Sequence, residues 1–333
     1  MRYVIYGAGA VGSSLGGYLS QTGCQVVLIG RADHIAQIRA VGLTVKDGAG
    51  IQRIPVQAVE SLADISYESG DVVFLCVKSQ DTPAAAADLR EWATAELPVF
   101  CFQNGVHNEE VVGSFSENVY GVLVAVGVRY VAPGYLIHYA PKALTLGRYP
   151  TGLDALVEAI GRDLEAAGYA VTYSTNVMAA KWAKLIMNLS NAFYAITGLS
   201  IVEGNNIPEA REFVADLFAE GIRVLDAAGI EYERIPNRLS PQEAVERLRT
   251  VHKPHPLPED ADFNYYPSTW QDLQLQRGSS EVAAFNGEIV ALGRVVGVPT
   301  PLNSLLQRVV EQMVENHELP GKYRIGELRK MLA

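Results

Sequence analysis

The sequence has little of what a secreted, membrane-embedded or nucleic-acid-binding protein needs. It holds three cysteines in 333 residues, Cys24, Cys76 and Cys101. The number is odd and no two form a C-x-x-C pair, so a disulfide framework or a cysteine zinc site is not expected. Reduced thiols buried in apolar segments of a cytoplasmic protein fit better. No apolar run reaches the ~18 residues that cross a bilayer, so no membrane span is expected. Met1-Arg2 and the apolar residues after it resemble the start of a leader peptide, but the glycines that follow have a different explanation. Basic charge is also scarce, with 27 Lys+Arg against 37 Asp+Glu and a net charge of −10. Binding a nucleic-acid backbone needs a basic surface, so that class is excluded. Charged residues make up only 19% and hydrophobic residues 49%, which excludes a disordered chain. At roughly 150 residues per domain, about two domains are expected.

What is present begins at once. Arg2–Tyr6 (RYVIY) reads as a strand, followed by Gly7-Ala8-Gly9-Ala10-Val11-Gly12, a small-residue helix ending at Gly23, and a strand at Gln25–Ile29. Strand, G-x-G-x-x-G, helix, strand is the context in which this motif binds a dinucleotide. Gly7 allows the tight turn, Gly9 lets main chain approach a pyrophosphate, and Gly12 lets helix and strand pack closely. N–H groups at the helix start then face the anion. The second strand ends Leu28-Ile29-Gly30-Arg31, with no carboxylate before Asp33. An NAD site usually has an acidic residue there, whereas Arg31 can pair with a 2′-phosphate and stack on adenine. NADP(H) is therefore the expected cofactor; the bland alternative for Arg31 is a solvated loop charge.

Further strands follow at α/β spacing. The 71–77 run ends in Lys78, and the 98–102 run ends in Gln103-Asn104-Gly105. Ligands of parallel sheets bind beyond the carboxyl ends of strands, which places Lys78 and Asn104 near nicotinamide, ribose or substrate. Either could equally be an ordinary loop residue. Strands are also expected at 119–128, 144–147 and 170–173, with a helix at 153–168.

From about residue 175 the pattern becomes almost wholly helical, with segments at 177–196, 207–229, 241–248, 268–276, 281–296 and 300–318. The expected fold is thus an α/β Rossmann-type domain, 1–174, followed by an all-α domain, 175–333. Residues 251–267 read as a proline-rich loop. Its His252, His255, Glu259 and Asp260 lie at spacings broken by proline, so no metal site is expected.

In the helix over 177–196, Asn188 would lie about 40° from Lys184 and Asn191 about 20° on the other side. One cation and two amides thus share a stripe on an otherwise apolar helix. Desolvation lowers a lysine's pKa, which suits such a group to proton donation. A solvated polar face is the alternative. Ser268 is a candidate hydrogen-bond donor to a substrate carboxylate. Glu281, at an expected helix start, is placed to pair with Lys184 or to be a simple first-turn charge.

These residues resemble the 2-dehydropantoate 2-reductase (ketopantoate reductase) family along nearly the whole chain: GAGAVG, IGR and GL at 42–43, VKSQDT, FQNG, KWAKLIMN, STWQD, E-x-x-x-x-N-G at 281–287 and GVPTPLN at 297–303. The resemblance implies a Rossmann domain and a helical domain like that of 6-phosphogluconate dehydrogenase. It implies NADPH-dependent reduction of a 2-oxo acid, ketopantoate, in pantothenate and CoA biosynthesis. Lys184 and Glu281 would be catalytic; Asn104, Asn188, Asn191 and Ser268 would bind substrate. Residues 7–12, Arg31, Lys78, Asn104 and Glu281 would hold cofactor. Reduction of a different 2-oxo acid, or NADPH sensing without turnover, are the alternatives. The only expected partners are the small-molecule substrate and, in an allowance for assembly, a second copy in a homodimer.

Overall fold

The structure, a computed structural model, describes residues 1–234, 239–250, 255–260 and 264–332. The chain forms two compact units, Met1–Lys181 and Trp182–Ala333.

The first unit is built on β1 (Arg2–Tyr6), α1 (Ala10–Gln21), β2 (Gln25–Ile29), α2 (Ala32–Val41), β3 (Leu43–Asp47), β4 (Gly50–Ile54) and β5 (Gln57–Val59). It continues with β6 (Asp71–Leu75), α3 (Thr82–Trp92), β7 (Val99–Cys101), α4 (Asn108–Gly113), β8 (Val119–Ala132), β9 (Tyr135–Arg148), α5 (Ala155–Ala166) and β10 (Ala170–Tyr173). Strand order is β4-β3-β9-β8-β7-β6-β1-β2-β5, with β10 on β9. β1 is an interior strand parallel to both neighbours, Arg2 lying opposite Gln25 of β2 and Asp71 of β6.

Both faces of this sheet are covered, which is why its central strands are apolar without alternation. Tyr3 and Ile5 join a core with Leu15, Leu19 and Phe74, while Val4 joins another with Val27, Val73 and Leu89. Strands β3, β4 and β5 are not expected from sequence; β4 is largely exposed and carries no apolar run. β8 and β9 are each 14 residues long and pair antiparallel, so the expected 119–128 and 144–147 segments are parts of one long hairpin.

Helix α6 (Val177–Asn188) carries the boundary between units. The second unit then contains α7 (Ser190–Thr197), α8 (Ile201–Asn206), α9 (Pro208–Ala228), α10 (Pro241–Thr250), α11 (Ser268–Gln274), α12 (Glu288–Val296), α13 (Pro301–Glu315) and α14 (Ile325–Leu332). It has no strand among the described residues. Proline opens α9 and α13, and left-handed glycines close α9 and α12 (Gly229, φ 65°; Gly297, φ 71°), the usual punctuation of helix ends.

Two expected helices carry local irregularities. The 177–196 segment runs as α6 and α7 with one residue, Leu189, outside the helical ladder but still right-handed helical (φ −55°, ψ −34°), and 281–296 contains a π-helical turn, Ala283–Gly287, ahead of α12. No described helix is long and apolar enough to cross a membrane.

Candidate active site

The glycines of the first turn have distinct jobs. Gly7 has φ +109°, and a Cβ there would lie 2.5 Å from Val77 N and 2.6 Å from Cys76 C. A Cβ at Gly12 would lie 2.3 Å from Gly7 O. Both positions are closed by main chain. A Cβ at Gly9 would meet nothing within 4 Å, so this one faces open space. Gly9 caps α1 without any side-chain hydrogen bond, and no acidic residue occupies the first turn. The first N–H groups of α1, from Ala10 and Val11, therefore have no intrahelical partner and suit an anion.

Gly7 N and Ala8 N both donate to Ile29 O, at 3.1 and 2.7 Å, tying the turn to the end of β2. There a Cβ at Gly30 would stand 2.8 Å from that of Ala8. Arg31, the next residue, caps α2 and is exposed. Asp33 follows in the first turn of α2, where its Oδ1 accepts the His34 N–H at 2.8 Å. His34 is buried, and burial pushes its pKa down to about 4. Its Nδ1 accepts from Gly134 N at 2.9 Å, so Nε2 carries the proton and donates to Ser13 Oγ, also at 2.9 Å. A neutral imidazole thus braces α1 just behind the glycine turn.

Lys78 and Asn104 follow the adjacent parallel strands β6 and β7, and both are half-buried. Their loops are cross-linked beneath. Asn104 O accepts from Ser79 Oγ at 2.8 Å and from Asn108 Nδ2 at 2.7 Å. Gln103 Nε2 donates to Val77 O (2.9 Å) and Thr82 Oγ1 (2.7 Å), and Thr82 Oγ1 donates to Asn108 Oδ1 (2.7 Å). Thr82, Gln103 and Asn108 are buried, so these bonds are shielded from water and fix both loops. Sequence reading locates the polar clusters but not these bracing residues, because side-chain roles inside a loop leave no periodic signal. In the same unit, Glu109 of α4 pairs with Lys181 of α6.

In the second unit Lys184 and Asn188 lie half-buried on α6. Asn191 lies on α7, three residues on from Asn188; between the two helices only Leu189 leaves the helical ladder, and its backbone stays right-handed helical (φ −55°, ψ −34°). Asn191 Nδ2 reaches Ser268 Oγ at 3.4 Å, at the first residue of α11. Glu281 is 7% exposed and stands directly before the first helical residue, Val282, and the π-helical turn that follows it; its carbonyl accepts from Ala284 N at 3.0 Å. Asn286 and Asn303, which stand in the motifs at 281–287 and 297–303 without an assigned role, form a buried polar chain with Glu220. Among the described residues no group of three His, Cys, Asp or Glu could hold a metal ion; His252 lies outside them.

Two family models match, Ketopantoate reductase PanE/ApbA over residues 3–151 and its C-terminal counterpart over 176–314. The chain is 31% identical over 316 residues to the 2-dehydropantoate 2-reductase of Pyrococcus abyssi, covering 93% of this chain and 97% of that protein. A PanE/ApbA family ketopantoate reductase from Ralstonia eutropha has a TM-score of 0.80 at 30% identity, over 95% of this chain and 99% of that one. A D-mandelate dehydrogenase, solved with NADH and anilino(oxo)acetate, shares the fold at TM-score 0.81 and 23% identity, over 95% and 99% of the two chains. With both of its halves matched in order and a relative aligned along almost its full length, the chain belongs to the ketopantoate reductase PanE/ApbA family.

Proposed function

We propose that the protein is an NADPH-dependent reductase that converts a 2-oxo acid, 2-dehydropantoate, to the 2-hydroxy acid pantoate for pantothenate and CoA synthesis. The observation that carries this reading is the match to relatives named 2-dehydropantoate 2-reductase along 93% of the chain. Residues 1–174 would hold the cofactor and 175–333 the substrate and the catalytic lysine.

The glycine turn fits a dinucleotide: open space over Gly9 admits a pyrophosphate, which the N–H groups of Ala10 and Val11 at the start of α1 would bind. Exposed Arg31, at the end of β2, would take the 2′-phosphate. Lys78 and Asn104, on their braced loops, would fix the nicotinamide end, and Glu281 would share in holding the cofactor. Bound NADPH supplies a hydride to the substrate's carbonyl carbon. Lys184 would donate a hydrogen bond to the carbonyl oxygen, stabilise the charge that develops there, and give up its proton to form the hydroxyl. Glu281 would orient the Lys184 ammonium. Asn104, Asn188, Asn191 and Ser268 would hold the polar groups of the acid.

We extend the reading to a homodimer, decided by light scattering on purified protein, and to a cytoplasmic location, supported by three free cysteines. The activity test follows loss of NADPH absorbance with 2-dehydropantoate beside a panel of other 2-oxo acids, and with NADH in place of NADPH. Turnover with 2-dehydropantoate and NADPH is expected. Turnover confined to another oxo acid would remove the substrate assignment, and NADPH binding without any turnover would remove the enzyme.

A further inference from the structure

Helices α1 and α2 follow the adjacent parallel strands β1 and β2, so both begin beyond the carboxyl ends of those strands. The start of α1 offers the Ala10 and Val11 N–H groups to a pyrophosphate, and Arg31, which caps α2, is the group suited to a 2′-phosphate. In NADPH one adenosine ribose carries both anions, the pyrophosphate on its 5′ carbon and the extra phosphate on its 2′ carbon. Covalent geometry therefore bounds their separation. A site that binds both at once gains most when its two helix starts are already held at one spacing.

Main-chain bonds tie only the strand ends: Ala8 N donates to Ile29 O at 2.7 Å and Gly30 N to Val59 O at 3.2 Å. The helices themselves are joined one turn later by His34, the third residue of α2, and Ser13, the fourth of α1. His34 Nε2 donates to Ser13 Oγ and Nδ1 accepts from Gly134 N, both at 2.9 Å. Gly134 lies in the turn between β8 and β9, and a Cβ there would stand 2.6 Å from Gln37 Cγ, so this turn presses on α2. Tyr130 of β8 packs on the imidazole with ring centroids 5.1 Å apart. His34 is 2% exposed and Ser13 0%. A buried polar ring is costly unless both nitrogens are satisfied, and here both are. An apolar side chain would fill the space without direction. Two bonds from one planar ring set the distance and the rotation of α2 against α1 and the hairpin. Ile35 N donates to Arg31 O at 3.0 Å, so the first turn of α2 carries that setting to Arg31.

We propose that His34 is a positioning residue for cofactor selection: through Ser13 and Gly134 it fixes the start of α2 against the start of α1, and so holds Arg31 where NADPH, but not NADH, gains a second anionic contact. The proposal rests on the reading of Arg31 as the 2′-phosphate ligand given above. His34 acts through Arg31 and touches no phosphate itself. Its effect is therefore confined to the cofactor that carries the 2′-phosphate.

The test is the Kd of NADPH and of NADH, by fluorescence titration, on wild type and a set of variants that thermal unfolding shows to be folded. His34→Phe keeps a ring against Tyr130 and loses both hydrogen bonds. It is expected to raise the Kd of NADPH about tenfold, the lower end for one charged hydrogen bond, and that of NADH less than ~2-fold. General loss of stability would weaken both cofactors alike. Ser13→Ala removes only the acceptor on α1 and carries the test if His34→Phe does not fold; about fivefold is expected for NADPH, with NADH again unmoved. His34→Gln, whose amide N–H can reach Ser13, should recover part of the NADPH affinity. The double variant His34→Phe/Arg31→Ala should bind NADPH within ~2-fold of Arg31→Ala, because the two residues act as one unit. Equal losses for NADPH and NADH in His34→Phe or Ser13→Ala overturn the proposal, as do losses that multiply in the double variant. If Arg31→Ala by itself weakens both cofactors equally, the 2′-phosphate reading of Arg31 fails, and the proposal falls with it.

Discussion

Lys181 and Glu109 form an ion pair closed off from water, with 3% and 0% of their side chains exposed. Glu109 Oε2 is buried with no hydrogen-bond partner among the described residues, so the pair does not satisfy all of its own polar groups. Removing one member leaves an uncompensated charge, which costs about 3–5 kcal/mol, whereas replacing both with apolar residues of similar volume is often neutral. Lys181→Met is therefore expected to lower Tm sharply, and the double variant Lys181→Met/Glu109→Leu to restore most of it. Calorimetry of the single and double variants checks this; a single variant as stable as wild type would sink it.

The second and third glycines of the first turn are expected to separate stability from cofactor binding. Gly9→Ala places its methyl in open space, so the fold should survive while NADPH binding weakens. Gly12→Ala drives a methyl into Gly7 O and should lower Tm instead. Thermal unfolding and NADPH titration on both variants decide; equal losses of Tm would contradict the assignment.

Lys184→Ala should lower kcat about 10²–10⁴-fold, the range for losing a positioned proton donor, and leave NADPH affinity near wild type. Steady-state rates and a cofactor fluorescence titration are the readouts. Full activity in this variant would end the proposed mechanism.

Replacing Arg31 with alanine should weaken NADPH binding by roughly tenfold to a hundredfold, the scale of one charge-assisted hydrogen bond, with NADH affinity little changed. An equal loss for both cofactors would show that Arg31 does not read the 2′-phosphate.

Acid should destabilise the first unit in a defined window. Burial holds His34 and His138 at about 4, below the ordinary value of 6.5; Lys142 also depresses His138. Well above pH 6.5 both imidazoles are neutral in either state and contribute no pH dependence. As pH falls from 6.5 toward 4 the unfolded chain takes up the protons first, so stability declines through that interval. Denaturation midpoints measured across it should fall, and His34→Gln/His138→Gln should flatten the slope. A slope unchanged by the double replacement would assign the acid effect to other groups.

Much of the first unit is legible in the sequence because buried parallel strands are continuous apolar runs and a glycine turn has a fixed order. The apolar runs coincide with β1, β2 and β6, and the pattern at 7–12 points to its own chemistry. β3, β4 and β5 escape because segments of three to five residues are too short to carry a long apolar run. In the helical unit the 3.6-residue period locates the helices, yet it treats 177–196 as one of them. That continuity puts Asn191 on the Lys184 face, but the period does not show that Asn191 Nδ2 reaches Ser268 Oγ, 77 residues later.

By itself, the sequence determined the class of each half, the dinucleotide turn, and the candidacy of Lys78, Asn104, Lys184, Ser268 and Glu281, because these follow from local pattern and from motifs carried in short segments. Tertiary structure decided which polar groups meet. The Leu189 carbonyl meets an amide 97 residues away, the loops of Lys78 and Asn104 are tied to each other across separate strands, and Lys181 meets a carboxylate 72 residues earlier. A buried hydrogen bond is set by direction and distance in space, and no periodicity along the chain encodes it.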